Sequence, residues 1–413
     1  MTCVRAAWVL PIDQPPIAGG WVAFDQGIIA GVGRPGDVAA DAFGPMRDLG
    51  AVALLPGLVN AHTHLELSWL RGRVAPAARF TDWIRALFAL RGRPSDVSDL
   101  ARTRTAALEA ARFMRACGTS LIGDISNTLS VADLPGEAGL RGWVFHELLG
   151  FGERDDAQVR RSRDRRAQLG AGALGVSVAA HAPYSVSREL LGAIAVEGAR
   201  LAPAPVSVHV AESPEEDALM RTGTGPWRAL LEQLGAWRND WAVPGVSPVA
   251  YLADLGLLQP HTLAVHCTGA DADDLARLRT AGTTVVACPR SNVWVGVGAP
   301  PLAEFYASGV SVALGTDSLA SVDDLNMFSE LAAARTMAPS VAPARLLASA
   351  TLDGARALGL EASYGSLAVG KCADIVAVAL HDAVPDIEAH LVGGVSPDRI
   401  SWASTCARQA PLA

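Results

Sequence analysis

His62 and His64 stand two apart in LVNAHTHLELS. At the end of a strand, that spacing puts both imidazoles on one face. Neutral imidazole is the commonest nitrogen ligand of biological metals, so two on one face make half of a coordination sphere. Alone, His-x-His is a weak signal and reads better as a core or surface pair. The balance changes because His209, His266 and Asp317 also close short apolar runs, PVSVH, LAVH and VALGTD. Several imidazoles and a carboxylate converging on one place would be costly to bury without a cation among them. Such a set holds a divalent ion and brings the pKa of water towards about 7.

The elements that must bring these residues together are legible as a change of texture. Residues 1 to about 55 alternate short apolar runs with Gly, Pro and Asp, as antiparallel strands and turns do. From about 56 to 350, short apolar runs ending in a polar residue alternate with stretches of helical period. One such stretch, Ser98 to Ala116, sets Leu100, Ala107, Leu108, Ala111 and Met114 on one face, with Gly118 placed to stop it. The runs are eight, ending near His62, Asp124, His146, His181, His209, His266, Cys288 and Asp317. Eight strand-helix units predict an α/β fold, a (β/α)8 TIM-type barrel over 56–350, with its active site at the carboxyl ends of the strands. The flanks, 1–55 and 351–413, are each small for a core of their own and are expected to pair into one small β-sandwich domain. The stretch from His209 to His266, 57 positions on, holds Trp227, Trp237 and Trp241 and reads as an inserted lid, a subunit contact or extra scaffold packing.

Composition narrows the chemistry. With 413 residues, half of them apolar and 18% charged, the chain can bury a large core. A formal charge of -8 argues against nucleic acid or an anionic membrane as the main partner, which leaves a small molecule. All but one of the 34 basic residues are arginine, so any mechanism that needs a lysine must use Lys371. No phosphate loop ending in Gly-Lys-Ser/Thr exists. The six cysteines are scattered without a C-x-x-C pair, which suits a reduced cytosol rather than disulfides or a thiolate zinc site. The start MTCVRAAWVLPIDQPP lacks the apolar run of a secretory signal, and no stretch of 18 apolar residues occurs, so a soluble, cytoplasmic protein is expected.

LLPGLVNAHTHLELSWLRG, SVHVAES, LAVHC, CPRSN, ALGTDS and GSLAVGKCADIV, taken in order, resemble the amidohydrolase superfamily. The likeness is to its mononuclear deaminase branch, which includes adenosine, methylthioadenosine/S-adenosylhomocysteine and aminofutalosine deaminases. It covers nearly the whole chain. It implies one divalent metal ion, zinc first and Fe2+ as the alternative, held by His62, His64, His209 and Asp317. His266 would sit beside the attacking water, with Asp317 sharing the handling of its proton. Glu212, three residues after His209, matches the glutamate that protonates the ring nitrogen next to the carbon under attack. The bland alternative for Glu212 is an acid at a helix start. Binuclear relatives bridge two metals with a modified lysine at the fourth strand; here that strand ends in His181, which agrees with one metal.

The resemblance also implies substrate contacts. His181, in HAPYSVS, matches a histidine that meets the purine, and Trp83, in FTDWI, falls where an aromatic lies near the ligand. The acid that grips the ribose hydroxyls in those deaminases has no counterpart soon after Trp83. Glu66, inside HTHLELS, is read as its relocated equivalent. HTHLELS with CPRSN is closer to the aminofutalosine deaminases of the futalosine route to menaquinone, whose substrate carries a benzoate at the 5' end. Arg290 is the candidate partner for that carboxylate; Arg71 is read as a solvated surface residue. The expected activity is therefore hydrolytic deamination of an adenine nucleoside, an aminofutalosine first. Methylthioadenosine, S-adenosylhomocysteine or adenosine come next, then a cyclic amide hydrolase or chlorohydrolase, and last a binding protein with a decayed site. A homo-oligomer, a dimer, is expected from the relatives.

Three signals carry less. Gly31, Gly33 and Gly36 spell G-x-G-x-x-G, yet Pro35 interrupts it and a turn in the β domain is the better reading. The arginines from Arg160 to Arg166 read as a salt-laced helix face. His146 ends the third run and serves equally as a substrate contact or a hydrogen-bonded core residue.

Overall fold

The computed structural model describes residues 1–37, 43–91, 97–169, 172, 174–381 and 384–406. Seven short strands come first: β1 (Thr2–Arg5), β2 (Trp8–Val9), β3 (Ile17–Ala18), β4 (Trp21–Asp25), β5 (Ile28–Gly33), β6 (Met46–Asp48) and β7 (Val52–Pro56). Eight parallel strands follow in unbroken spatial order: β8 (Leu58–Thr63), β9 (Thr119–Ser126), β10 (Arg141–Leu148), β11 (Leu174–Ala180), β12 (Val206–Val210), β13 (Thr262–His266), β14 (Thr284–Ala287) and β15 (Ser311–Leu314). The fold is the expected (β/α)8 barrel with flanking sheets.

The barrel closes where the chemistry is expected. Thr63 and Asp317 form a parallel bridge between the ends of β8 and β15, and the Asp317 amide donates to the His62 carbonyl at 3.0 Å. This seam is tight enough to dictate a residue. A Cβ on Gly315 would lie 2.8 Å from the His62 Cβ, so only glycine fits in GTD. Inside, Val59, Ala61, Trp143, Phe145, Leu263 and Val265 fill the barrel as a packed core.

Outside, helices alternate with the strands. The helix Val97–Ala116 buries Ala107, Ala110, Ala111 and Met114 against Ile122, while Leu100, expected on that face, is 45% exposed. The segment after His209 forms three helices, Pro214–Thr222, Pro226–Gln233 and Pro248–Asp254. Among the described residues, no helix is long and apolar enough to cross a membrane.

Both flanks contribute to the remaining sheets. β5, β4, β1 and β6 form one; β16 (Ile375–Ala379) and β17 (Ile400–Ser404) join β7, β2 and β3 in the other. Val4, Val22, Ile29, Leu54, Leu367 and Ile375 share a core between them. The glycine triplet falls in and after β5, an antiparallel strand, as the turn reading requires. The tail is not purely β: Leu352–Ala357 and Ile387–Val392 are helices. Gly354 lies so close to Val59 that a Cβ there would meet its side chain at 2.8 Å, which binds the first of these helices to the barrel.

Candidate active site

The strand ends deliver their side chains to one point. Nε2 of His64 lies 3.1 Å from Nε2 of His62, and Nε2 of His209 lies 3.4 Å from it. Asp317 Oδ1 is 3.5 Å from His64 Nε2 and 3.8 Å from His62 Nε2. A tetrahedral ion with bonds of about 2.0–2.1 Å holds its ligand atoms about 3.3–3.4 Å apart, so the spacing fits a cation. The outer hydrogen bonds agree. His209 Nδ1 donates to the His181 carbonyl at 2.7 Å, which turns the Nε2 lone pair inward. Ser291 Oγ donates to Asp317 Oδ2 at 2.6 Å and Ser321 Oγ at 3.3 Å, leaving Oδ1 to the imidazoles. Burial, then the neighbouring His64, His209 and His266, hold His62 well below the usual imidazole range, so it presents a lone pair.

Local backbone strain aims these groups. Ala211, His266, Cys267 and Asp317 all have positive φ, between 50° and 74°, although none is glycine. Such residues persist only where the surroundings over-determine them, and here they lie at the ends of β12, β13 and β15. The turn at Ala211 folds Glu212 back over the cluster, where Oε1 sits 3.6 Å from His266 Nε2. Glu216, fully buried one helical turn on, accepts from the Glu212 amide at 2.8 Å and fixes that turn. Ser213 caps the helix, its Oγ accepting from the Glu216 amide. Burial first, then the charges of Asp317 and Glu216, push the Glu212 carboxyl well above its usual range, which favours its protonated form. Asn292 Nδ2 lies 3.1 Å from His266 Nδ1, and burial lowers that imidazole to about 3.

A cavity of about 310 Å³ opens over the cluster. Its floor is His64, His209, Glu212, His266 and Asp317, and its outer wall is apolar, with Phe80, Trp83, Phe151, Tyr184, Trp227 and Leu231. Trp227 comes from the segment after His209 and stacks on Tyr184 with centroids 3.9 Å apart and planes 15° apart. That segment is therefore wall. His181 and Trp83 both line the cavity; Ser185 Oγ is 2.5 Å from His181 Nδ1. No Lys or Arg among the described residues does so.

Two expected contacts are corrected. Glu66 does not line the cavity. Its carboxylate accepts from Ser126 Oγ at 2.5 Å, Thr128 Oγ1 at 2.7 Å and the amides of Asn127 and Thr128, so it braces the loop after β9. Arg290 also points elsewhere: its Nε donates to Glu330 Oε1 at 2.6 Å, and its other nitrogens donate to Asp324 Oδ1 and the Asp324 carbonyl. A guanidinium with three such bonds is committed before any substrate arrives. His146 likewise faces outward, with Nδ1 2.8 Å from Ser162 Oγ.

The missed residue is its neighbour. β10 runs two residues beyond His146, and strand alternation places Trp143, Phe145 and Glu147 on the interior face. Glu147, buried, lines the cavity at the end of that row. The signal was available in the period-two pattern of GWVFHEL.

A (β/α)8 barrel that gathers three imidazoles, an aspartate and a buried glutamate at its strand ends is a barrel hydrolase. Residues 53–400 match the Amidohydrolase family, and the chain belongs to that family. It is a hydrolase acting on carbon-nitrogen bonds other than peptide bonds. It is 31% identical over 406 residues to a 5-methylthioadenosine/S-adenosylhomocysteine deaminase of Moorella thermoacetica, covering 94% of this chain and 89% of that one. It is 32% identical over 348 residues to an aminodeoxyfutalosine deaminase of Deinococcus radiodurans, covering 80% and 79%. Among solved structures, an adenosine deaminase from Xanthomonas campestris with bound zinc superposes with a TM-score of 0.80 at 27% identity, covering 97% of this chain and 90% of the other.

Proposed function

We propose that this chain is a metal-dependent hydrolytic deaminase of adenine nucleosides that carry an apolar 5' substituent. The observation that carries the reading is Glu212, a carboxyl buried over the histidine cluster with Oε1 3.6 Å from His266 Nε2. Amide hydrolysis needs no acid aimed at a ring; deamination of adenine needs one, because the ring nitrogen beside the attacked carbon must take a proton as water adds.

His62, His64, His209 and Asp317 would hold one divalent ion, for which zinc is proposed and Fe2+ is the alternative. Bound there, it supplies Lewis acidity that brings water towards a pKa of about 7. The residues do the rest. Asp317, with Oδ2 anchored by two hydroxyls, orients the water and takes its proton. His266, neutral through burial, accepts a hydrogen bond or passes the proton on towards the leaving amine. Glu212 delivers its proton to the ring nitrogen. The apolar wall excludes water from the rest of the nucleoside.

For the 5' group, the wall favours an uncharged substituent such as the methylthio group. An aminofutalosine, on the route to menaquinone, is the second reading. Its aromatic end suits a wall of Trp83, Phe80 and Trp227, and a 32% identical relative bears that name. Its carboxylate no longer has Arg290 or another described cation in the cavity. S-adenosylhomocysteine meets the same objection. A cytoplasmic setting and a homodimer belong to the proposal.

The test is ammonia release by zinc-loaded protein from adenosine, 5'-methylthioadenosine, S-adenosylhomocysteine and aminofutalosine. Glu212→Gln is expected to lower kcat by about 10²- to 10⁴-fold with zinc content unchanged. Ammonia from none of the four, or a Gln variant within a few-fold of wild type, would sink the reading. Surviving turnover of a cyclic amide or a chlorinated ring would point to the rival chemistry.

A further inference from the structure

Away from the cavity, the flanking sheets bring two thiols together. Cys372 precedes β16 and Cys406 follows β17, and these strands pair antiparallel with Ile375 opposite Ser404, so the chain just outside that pairing runs side by side. Cys406 meets two residues there. Its amide donates to Asp374 Oδ1 at 2.8 Å, and its thiol is in hydrogen-bond contact with that of Cys372. Apolar packing agrees, since Cys406 rests on the cluster that contains Cys372 and Tyr364. The place is also held from behind: the Cys372 amide donates to the Ser363 carbonyl at 2.8 Å, and Arg115 pairs with the Asp374 carboxylate at 3.3 Å. The Gly57 amide, just before β8, donates to the Asp374 carbonyl at 2.9 Å, which puts the pair at the amino end of that strand, whereas His62 stands at its other end.

The two thiols are unequal. Cys406 is partly exposed, whereas the other five cysteines are buried. Burial first, then the bond to Cys406, pushes the Cys372 thiol up to about 12, against the lowering effect of the Tyr364 hydroxyl bonded to it. A reagent therefore meets Cys406 first and Cys372 second. We propose that Cys372 and Cys406 form a thiol-oxidation site, closed to a reversible disulfide by a small-molecule disulfide such as oxidised glutathione, which ties the chain beyond β17 to the run into β16. The Cys406 thiolate attacks one sulfur of the reagent and displaces a thiolate, on which the proton given up by Cys406 ends. The Cys372 sulfur then attacks the Cys406 sulfur of the mixed disulfide, and its proton leaves with the second small thiol. Two protein thiols are oxidised and one small disulfide is reduced to two thiols.

The test treats the folded full chain, reduced and then freed of reductant, with oxidised glutathione, and reads intact mass and mapped peptides. Cleavage after Lys371 and Arg399 puts the two cysteines on different peptides. The expected result is a loss of two hydrogens, one linked pair of peptides carrying Cys372 and Cys406, and full reversal by dithiothreitol. Cys372→Ser is expected to stop with glutathione held on Cys406, and Cys406→Ser to react at least about 10-fold more slowly than wild type. Wild type that keeps glutathione on Cys406 without closing the link, that links Cys406 to another chain, or that stays unmodified overturns the proposal. So does a Cys406→Ser variant that reacts as fast as wild type. The wild-type measurement needs no variant, so a substitution that impairs folding leaves the test intact.

Discussion

On the floor of the cavity the groups proposed to carry the chemistry are pinned by hydrogen bonds. Two serines fix Asp317, a backbone carbonyl fixes His209, Asn292 pairs with His266, and Glu216 fixes the turn that carries Glu212. The wall has no such pins: Trp227 rests on Tyr184 and Trp83 on Phe80 by stacking, and among the described residues neither indole N–H has a partner. The contrast separates two tasks. Directional bonds set atoms to within a fraction of an ångström, as bond-making requires. Non-directional burial only sets volume and polarity, which is what choosing a substituent requires.

The contrast can be broken most severely at the floor. His209→Ala is expected to lose bound zinc by elemental analysis and to lower ammonia release by more than about 100-fold, the loss usual for groups one bond further from a metal. Zinc retained at one per chain would mean the cluster is not the site. Behind the floor, Arg290→Ala leaves Glu330 buried and unpaired. Its cost is expected at about 3–5 kcal/mol in urea unfolding, with no selective loss of carboxylate-bearing substrates. A selective loss would restore Arg290 as a substrate contact.

Glu216 gives a pH signature. Burial raises its carboxyl to about 8, so the folded state holds a proton that the unfolded chain releases near pH 4.3. Stability relative to Glu216→Gln should be level below about pH 4 and fall as pH rises through about 8, by a few kcal/mol at most. Unfolding of both proteins at pH 5 and pH 9 checks this; a constant difference would mean the carboxyl is hydrated. The wall should give the smallest effect. Trp227→Ala is expected to raise KM for 5'-methylthioadenosine about 10-fold and to change kcat less than about threefold. A large fall in kcat would show that the wall also positions the reacting atoms.

The same division governs what could be read from the chain. Strand ends are legible because period two and a terminal polar residue mark them, so the eight runs and their histidines map directly onto β8–β15. Of the two readings open for His146, the hydrogen-bonded core residue holds: alternation with Trp143 and Phe145 sets it on the outer face of β10, beside Ser162, and sets Glu147 on the inner one. Glu66 and Arg290 were misplaced. Both follow strand ends in motifs shared with relatives, but which way a long side chain turns depends on distant partners: the loop after β9 for Glu66, and Asp324 and Glu330 for Arg290. No local pattern encodes those. The wall was legible only as a tryptophan-bearing insertion; that Trp227 reaches Tyr184 is decided by tertiary packing.

Because part of the wall, Trp227 and Leu231, sits on a segment spliced between β12 and β13, outside the hydrogen-bond ladder of the barrel, that part can change shape without moving the strands that carry the floor. A lineage could retool this enzyme for a new nucleoside by editing one excursion of the chain.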